Sequence, residues 1–504
     1  MAEAKSSSSM GWVVVLAGLG INLCLGVLYT WSIFTTALTN KWAWTSAQAL
    51  TPYATALFLF AFTMIFAGRL QDRIGPRVAA TIGGILVGAG MIISSFAPKP
   101  TVEAVAFVAK WNPTFTAVGK AKAAIAAGTP GAALPTSWTP DISAAYVKFG
   151  VVSSSAALPW LVIGFGILVG AGIGFAYAAA TPAAVKWFAP TKKGMISGLV
   201  VAGFGLASIY TAPLTANLLA TQGIGVSGTF LYEGIGFFIA IMIFAQLLRN
   251  PPAGYVPVTD SNAPASAAAA NAASRDHTWQ EMVRTPQFWA MWFMYAFAAG
   301  AGLMVVGIIA KYAQGIENVA LQLVGITDSM KGGSLDWVAK AGATFTFVMA
   351  LAIGNGIGRP ITGILSDRIG RKNTMMGVFV IQALFMVILG MNLVTDYTLL
   401  LFVAAGIGFM YGANLTLFPA MTYDFFGTKN AGVNYGLIFF AWGVGGVLGS
   451  IGAGFAKDYF GSFNNAFFVA AGLLIVATIL AAILKPPALP PSALREDERL
   501  AEGA

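Results

Sequence analysis

One arginine stands in a stretch of chain otherwise built for hydrocarbon. Arg359 lies about 20 residues into an apolar run over 339–364, with Gly354, Asn355, Gly356 and Gly358 just before it and Pro360 just after. A guanidinium at such a depth costs at least about 2.5–3.5 kcal/mol on insertion scales, so it should face a partner or an aqueous cavity. No acid precedes Asp367 in this run, and the other acid well inside an apolar run, Glu233, lies toward the outer end of its own. A carboxylate brought by a ligand would complete the guanidinium fork through two parallel hydrogen bonds. The alternative is an arginine that snorkels to the membrane edge or bonds backbone carbonyls. Asn355, four residues earlier, shares its helical face and either reaches the same cavity or bonds a neighbouring helix. Tyr29, Tyr177, Phe204, Tyr411 and Trp442 fall in five other apolar runs and could wall in the apolar part of a ligand. For each taken alone, helix packing is the commoner explanation. Asn22 and Asn414 are weaker candidates.

The elements that must position these residues follow from composition. The 504 residues are 57% hydrophobic and 9% charged, against about 25% charged in a soluble domain, and the mean hydropathy is +0.76. A soluble globular protein is excluded. Apolar runs fall at 12–38, 47–68, 77–97, 152–182, 195–220, 226–248, 286–311, 339–364, 374–394, 397–423, 431–455 and 463–484. Each is long enough to cross a core of about 30 Å as a helix, the one single-segment structure that satisfies its own backbone in lipid.

An even number of spans puts both termini on one side, and seventeen of the 28 Lys and Arg fall on that side. The positive-inside rule then places the termini in the cytoplasm, and the expected location is the cell inner membrane. MAEAKSSSSM reads as a short cytoplasmic tail ahead of a retained first span. The net charge of +9 therefore reports topology, not nucleic-acid binding. A single Cys24 and a single His277 leave no disulfide, zinc or redox chemistry to expect, and no cofactor. His277 falls in a polar linker, where a solvated side chain is expected. The glycine runs GAGIGF (170–175) and GVGGVLGSIGAG (443–454) lie inside apolar helices with no flanking strand, and read as close helix packing.

The chain divides into a first six-span bundle over 1–249, carrying an outer insertion at 98–150; a polar linker over 250–284; a second six-span bundle over 285–486; and a cytoplasmic tail, 487–504. The halves repeat each other. GRLQDRIGPR (68–77) matches GILSDRIGRK (363–372), each after the second span of its half, and GIGFAYAAATPAAVKWFAPTKKG (172–194) matches GIGFMYGANLTLFPAMTYDFFGTKNAG (406–432). The 68–77 and 363–372 segments resemble the signature loop of the major facilitator superfamily. That resemblance implies an all-α membrane protein of twelve transmembrane helices in two halves related by parallel pseudo-symmetry, with substrate between them. Gly68 and Gly363 would let helices approach, and Asp72, Arg73, Asp367 and Arg368 would form a charge lock that holds the halves in one state.

A narrower resemblance runs through EMVRTPQFWAMWFMYAF (281–297), NGIGRPITGILSDRIGR (355–371) and LFPAMTYDFFGTKNAGVNYG (417–436). These segments are similar to the oxalate/formate antiporter family, which includes bacterial lactate-type monocarboxylate transporters. In that family the arginine at this place in span eight binds the substrate carboxylate, which implies the same role for Arg359. Two positions depart from the pattern. Asn355 stands where eukaryotic monocarboxylate carriers have an acid, and Trp442 stands where oxalate antiporters have a second cation, a lysine. One cation suits one carboxylate, because the far end of a dianion would be buried unpaired.

The expected function is secondary transport of a small monocarboxylate of the lactate, pyruvate or formate type, together with a proton, by a monomer that rocks its halves around Arg359. Exchange of oxalate for formate is the alternative and would need a second mid-depth cation. A proton-driven drug exporter would need a first-half carboxylate, and Glu233 is the only one there. A transport-dead sensor would need a signalling module, which the linker and tail do not resemble. A membrane enzyme would need paired acids or metal ligands that the spans lack. The group that receives the proton is not evident from sequence, with Glu233 placed far outward.

Overall fold

The computed structural model describes residues 2–487 except 43, scattered positions between 102 and 132, and 189–192, 253–254, 256–275, 332–342 and 428–429. Among the described residues, twelve helices are long and apolar enough to cross a membrane. They are α1 (Ser9–Lys41), α2 (Ser46–Gln71), α3 (Pro76–Ser95), α4 (Ala156–Val185), α5 (Met195–Ala220), α6 (Gly225–Leu247), α7 (Pro286–Gln314), α8 (Phe345–Ile369), α9 (Arg371–Gly390), α10 (Tyr397–Phe426), α11 (Gly432–Phe460) and α12 (Asn464–Ile483). Each expected run has its helix. The eighth begins at Phe345 instead of 339, which makes Arg359 the fifteenth residue of a 25-residue helix and brings it close to mid-depth.

Local chemistry sets the helix ends. Thr45 and Gln48 close a reciprocal capping box at the start of α2. Thr285 caps α7 ahead of Pro286, and Asp396 caps α10 by accepting from Leu399 N at 2.9 Å. Each pattern satisfies amides that a first helical turn leaves unpaired. In the two signature loops, Gly75 and Gly370 adopt φ 86° and 89° with extended ψ, a region open essentially to glycine. That conformation turns the chain from α2 into α3 and from α8 into α9, so both copies need the glycine.

The first six spans pack on one another, as do the last six, and the halves meet along α2–α11, α5–α8 and α1–α7. The two signature loops lie on one face of the bundle, and the opposite one is the far face. Two spans are locally irregular where the halves meet. In α1, the 3₁₀ turn Gly26–Thr30 interrupts the helix, and α5 breaks at Ala207 between Lys193–Leu206 and Ser208–Ala220. Part of the 98–150 insertion is itself helical, since Pro140–Leu161 runs into α4 through a π-helical stretch, Val162–Val169.

His277 departs from expectation. It is 2% exposed, with its amide donating to Phe426 O at 3.0 Å and its carbonyl accepting from the Asn430 and Asn434 side chains at 3.0 Å. The end of the linker docks on α10 and α11, because the carbonyl left by the end of α10 and two asparagine amides supply polar partners there.

Candidate functional site

The central site is built around a guanidinium with neutral partners. Arg359, on α8, is 4% exposed. Its Nη1 donates to Val201 O of α5 at 2.8 Å, and its Nε donates to Asn355 Oδ1 at 3.1 Å. Among the described residues, no carboxylate lies within ion-pair distance of it. Asn355 is fully buried, and its Nδ2 has no hydrogen-bond partner. Such a donor, left bare, costs about 1–3 kcal/mol. The site thus holds a cation and an amide donor, both lacking an anionic acceptor.

Two glycines make room for this pair. Gly412 of α10 lies against Asn355, and Gly205 of α5 lies against the guanidinium, where a side chain would start 3.3 Å from Nη2 and 3.5 Å from Cζ. Gly205→Val should push Arg359 aside. Uptake of labelled L-lactate, of the cargo class expected from the sequence, into proteoliposomes is expected to fall at least about tenfold, which takes only about 1.4 kcal/mol, while the melting temperature in detergent stays within a few degrees of wild type.

Aromatic rings cluster next to Arg359, starting from Phe204 beside Gly205. Tyr29 and Tyr411, one from each half, share a hydrogen bond of 2.7 Å, and Trp442 Nε1 donates to the Tyr411 hydroxyl at 2.9 Å. Phe204 packs edge-on against Tyr29 at 5.0 Å and against Tyr177 at 5.6 Å. Tyr29, Tyr177, Phe204, Tyr411 and Trp442 are therefore brought together. Phe60 joins them, in ring contact with Tyr177, Phe204 and Trp442, and Phe439 stacks on Trp442 at 5.0 Å. The sequence reading missed both. The repeat held a signal for Phe60, because the register that pairs Gly68 with Gly363 sets Phe60 opposite Asn355.

Asn414 is not brought to this ring. Its amide donates to Gln382 Oε1 on α9 at 3.2 Å, and Gln382 in turn donates to Ala298 O on α7, a chain of bonds within the second half. Asn22 donates back to Gly18 O of its own helix.

Among the described residues, the signature loops show no charge pair between the halves. Asp367 pairs with Arg371 at 2.6 Å, and Arg371 reaches Asp424 on α10 at 3.3 Å, all within the second half. The turn at Gly370 folds Arg371 back onto Asp367, which explains the local pairing. Arg73 and Arg368 are exposed, and a side chain on Gly68 would meet nothing within 4 Å, so this glycine serves no close approach here. Gly363 has only Thr416 Cγ2 near it, at 3.4 Å. The Asp72 side chain lies outside the described residues.

The halves are tied instead at the far face. The Asp458 carboxylate, at the end of α11, accepts from Ser46 N at 2.7 Å and Ala47 N at 2.8 Å, the first amides of α2. Thr35 donates to Gly307 O at 3.1 Å, Asn40 donates to Gln314 at 3.0 Å, and Lys311 bonds Asn40. A carboxylate on a helix N-terminus combines charge-assisted hydrogen bonds with the favourable end of the helix dipole. Asp458→Asn is expected to raise the population with the far face parted by about tenfold, as losing charge from two such bonds would do. Pulsed EPR between spin labels on Gln222 and Thr395, one exposed far-face position on each half, would show it as a longer-distance component.

Comparisons with known proteins agree with this architecture. The model of the Major Facilitator Superfamily matches residues 10–331 and 334–502. An oxalate:formate antiporter of Oxalobacter formigenes is 26% identical over 485 residues, covering 94% of this chain and 91% of that protein. Apicoplast pyruvate carrier 1 of Toxoplasma gondii is 23% identical, covering 87% and 82%. Among solved structures, a bacterial homologue of the human lysosomal transporter Spinster superposes with a TM-score of 0.55 at 15% identity, over 94% of this chain and 96% of that one, a likeness of fold.

Proposed function

Since the chain belongs to the Major Facilitator Superfamily and is thus a membrane transporter, we propose that its cargo is a small monocarboxylate, bound between the halves with its carboxylate on Arg359 and co-transported with a proton. The observation that carries this reading is the buried guanidinium whose hydrogen bonds go only to neutral oxygens, beside an asparagine amide with no acceptor. A ligand carboxylate would satisfy both groups. The rest of the ring is aromatic and suits a short apolar tail, with Phe60, Phe204 and Trp442 as its walls.

A relative that exchanges oxalate for formate keeps dianion exchange in view. Charge balance argues against it, because Trp442 stands where the resemblance to oxalate antiporters would put a second cation. The test is uptake of labelled L-lactate by proteoliposomes with and without an inward proton gradient, with formate, pyruvate and oxalate as competitors. Gradient-stimulated uptake, blocked by pyruvate and weakly by oxalate, is the expected result. Strong competition by oxalate together with a requirement for an internal counter-anion would replace it with exchange.

A further inference from the structure

The first half buries an acid that the central site does not use. Glu233, on α6, is 2% exposed. Its Oε1 accepts from Thr215 Oγ1 of α5 at 2.5 Å, and its Oε2 is buried with no hydrogen-bond partner. The carboxyl lies at the floor of an open groove of about 470 Å³ formed by α1, α5 and α6, beside Cys24 and Phe237, with Tyr210, Leu214 and Tyr232 exposed at its rim. A polar group at this depth without a partner is rare and calls for a role.

Among the described residues, the groups around it carry no compensating charge. α1 contributes Cys24, α5 contributes Tyr210 and Thr215, and its own helix contributes Tyr232. α3, packed behind it, contributes Gly88, Met91 and Ile92 near Gly234. Among the described residues, the nearby cation is Lys41, whose Nζ donates to Leu219 O, one turn of α5 beyond Thr215.

One helix, α5, bonds both Glu233 of α6 and Arg359 of α8. α5 presents Thr215 to the acid on one side of its break at Ala207, and Val201 O, Phe204 and Gly205 to the central site on the other. A second strut runs through α1. The Tyr210 hydroxyl donates to Leu23 O at 2.9 Å, just before the 3₁₀ turn that carries Tyr29, and Gly26 of that turn fits against Phe204 and Ala207.

We propose that Glu233 is the proton site of the transport cycle, binding on Oε2 the proton that travels with the monocarboxylate and releasing it to the opposite face, with α5 relaying its state to Arg359. This rests on the monocarboxylate reading above. Two negative charges, the cargo's and the acid's, are then balanced by the guanidinium and one proton, so that the loaded carrier changes face with no unpaired charge at depth.

Glu233→Gln in proteoliposomes separates coupling from binding. Exchange of labelled for unlabelled lactate, which moves no net proton, should stay within about threefold of wild type. Accumulation under a gradient of one pH unit should fall from about tenfold, the limit for one proton per lactate, to none, and proton entry followed by an internal pH dye should vanish with it. Glu233→Asp should keep part of the drive. If the Gln variant does not exchange, wild type treated with a hydrophobic carbodiimide gives the same contrast, with labelling at Glu233 read by mass spectrometry. A Gln variant, or a fully labelled wild type, that accumulates lactate normally overturns the Glu233 assignment alone. A wild type that exchanges no monocarboxylate, or exchanges it without proton drive, overturns the underlying reading as well.

Discussion

Arg359→Lys is expected to lower carboxylate uptake by about a hundredfold or more even though the positive charge is kept. The guanidinium is already anchored by Nη1 to Val201 O and by Nε to Asn355 Oδ1. A fork held in that way offers its remaining donors in a fixed direction, and a carboxylate meets them without further ordering. Lysine has a single nitrogen on a flexible stem, so it cannot hold both anchors and still present two parallel donors. Hydrogen bonds to charged groups contribute about 1.5–3 kcal/mol each, and the loss of two of them accounts for a hundredfold or greater change at about 1.4 kcal/mol per factor of ten. Arg359→Ala should lose at least as much. Equilibrium binding followed by ligand-induced thermal shift, alongside lactate exchange, checks both. Wild-type exchange by either variant would remove Arg359 from the site.

Gly358→Val is expected to prevent recovery of a folded transporter. Helices α8 and α10 cross on glycine: a side chain on Gly354 would run into the Ala405 carbonyl, on Gly358 into Phe409, on Gly408 into Leu351 and on Gly412 into Asn355. Backbone meets backbone at all four points, so no rotamer change makes space. Overpacking of this kind costs about 1–3 kcal/mol at a position that can relax, and here the neighbour of Arg359 cannot. In a membrane, close packing of small residues is the main source of helix association. Gly363→Ala, on the same helix, serves as the control because its added methyl meets only Thr416 at 3.4 Å. Size-exclusion profiles and melting temperatures of the two variants in detergent test this contrast. Wild-type stability of Gly358→Val would show that the crossing is looser than its geometry implies.

The fold was legible in the sequence because a lipid environment imposes a coarse and strict rule, twenty or so apolar residues per crossing, and the duplicated loops marked the halves. Arg359 was legible for the same reason, since a charge in an apolar run is an anomaly that sequence shows directly. Tyr29, Tyr177, Phe204, Tyr411 and Trp442 could be gathered only through the repeat and the resemblance. Phe60 and Phe439 have the chemistry of lipid-facing bulk, and nothing in their own residue type separates a wall of the site from packing. Asn414 failed to join them because helix rotation, which side-chain pattern fixes poorly in an all-apolar helix, turns it toward Gln382. Asp367 and Asp458 show the same limit for charges. Which partner an acid at a helix end selects depends on the tilt of its neighbours, so the loop acid bonds within its own half while an unremarked far-face acid spans the two.

The Asp458 bond to the start of α2 also bears on what kinetics from the two sides would look like. Only carriers whose far face has parted can receive cargo from that side, and the apparent dissociation constant there is the intrinsic one divided by the receptive fraction. A latch made from two charge-assisted bonds keeps that fraction small in the empty protein. Half-saturation measured from the far side should therefore exceed the intrinsic value by the inverse of that fraction, a difference built by the scaffold and carried by no residue that touches the cargo.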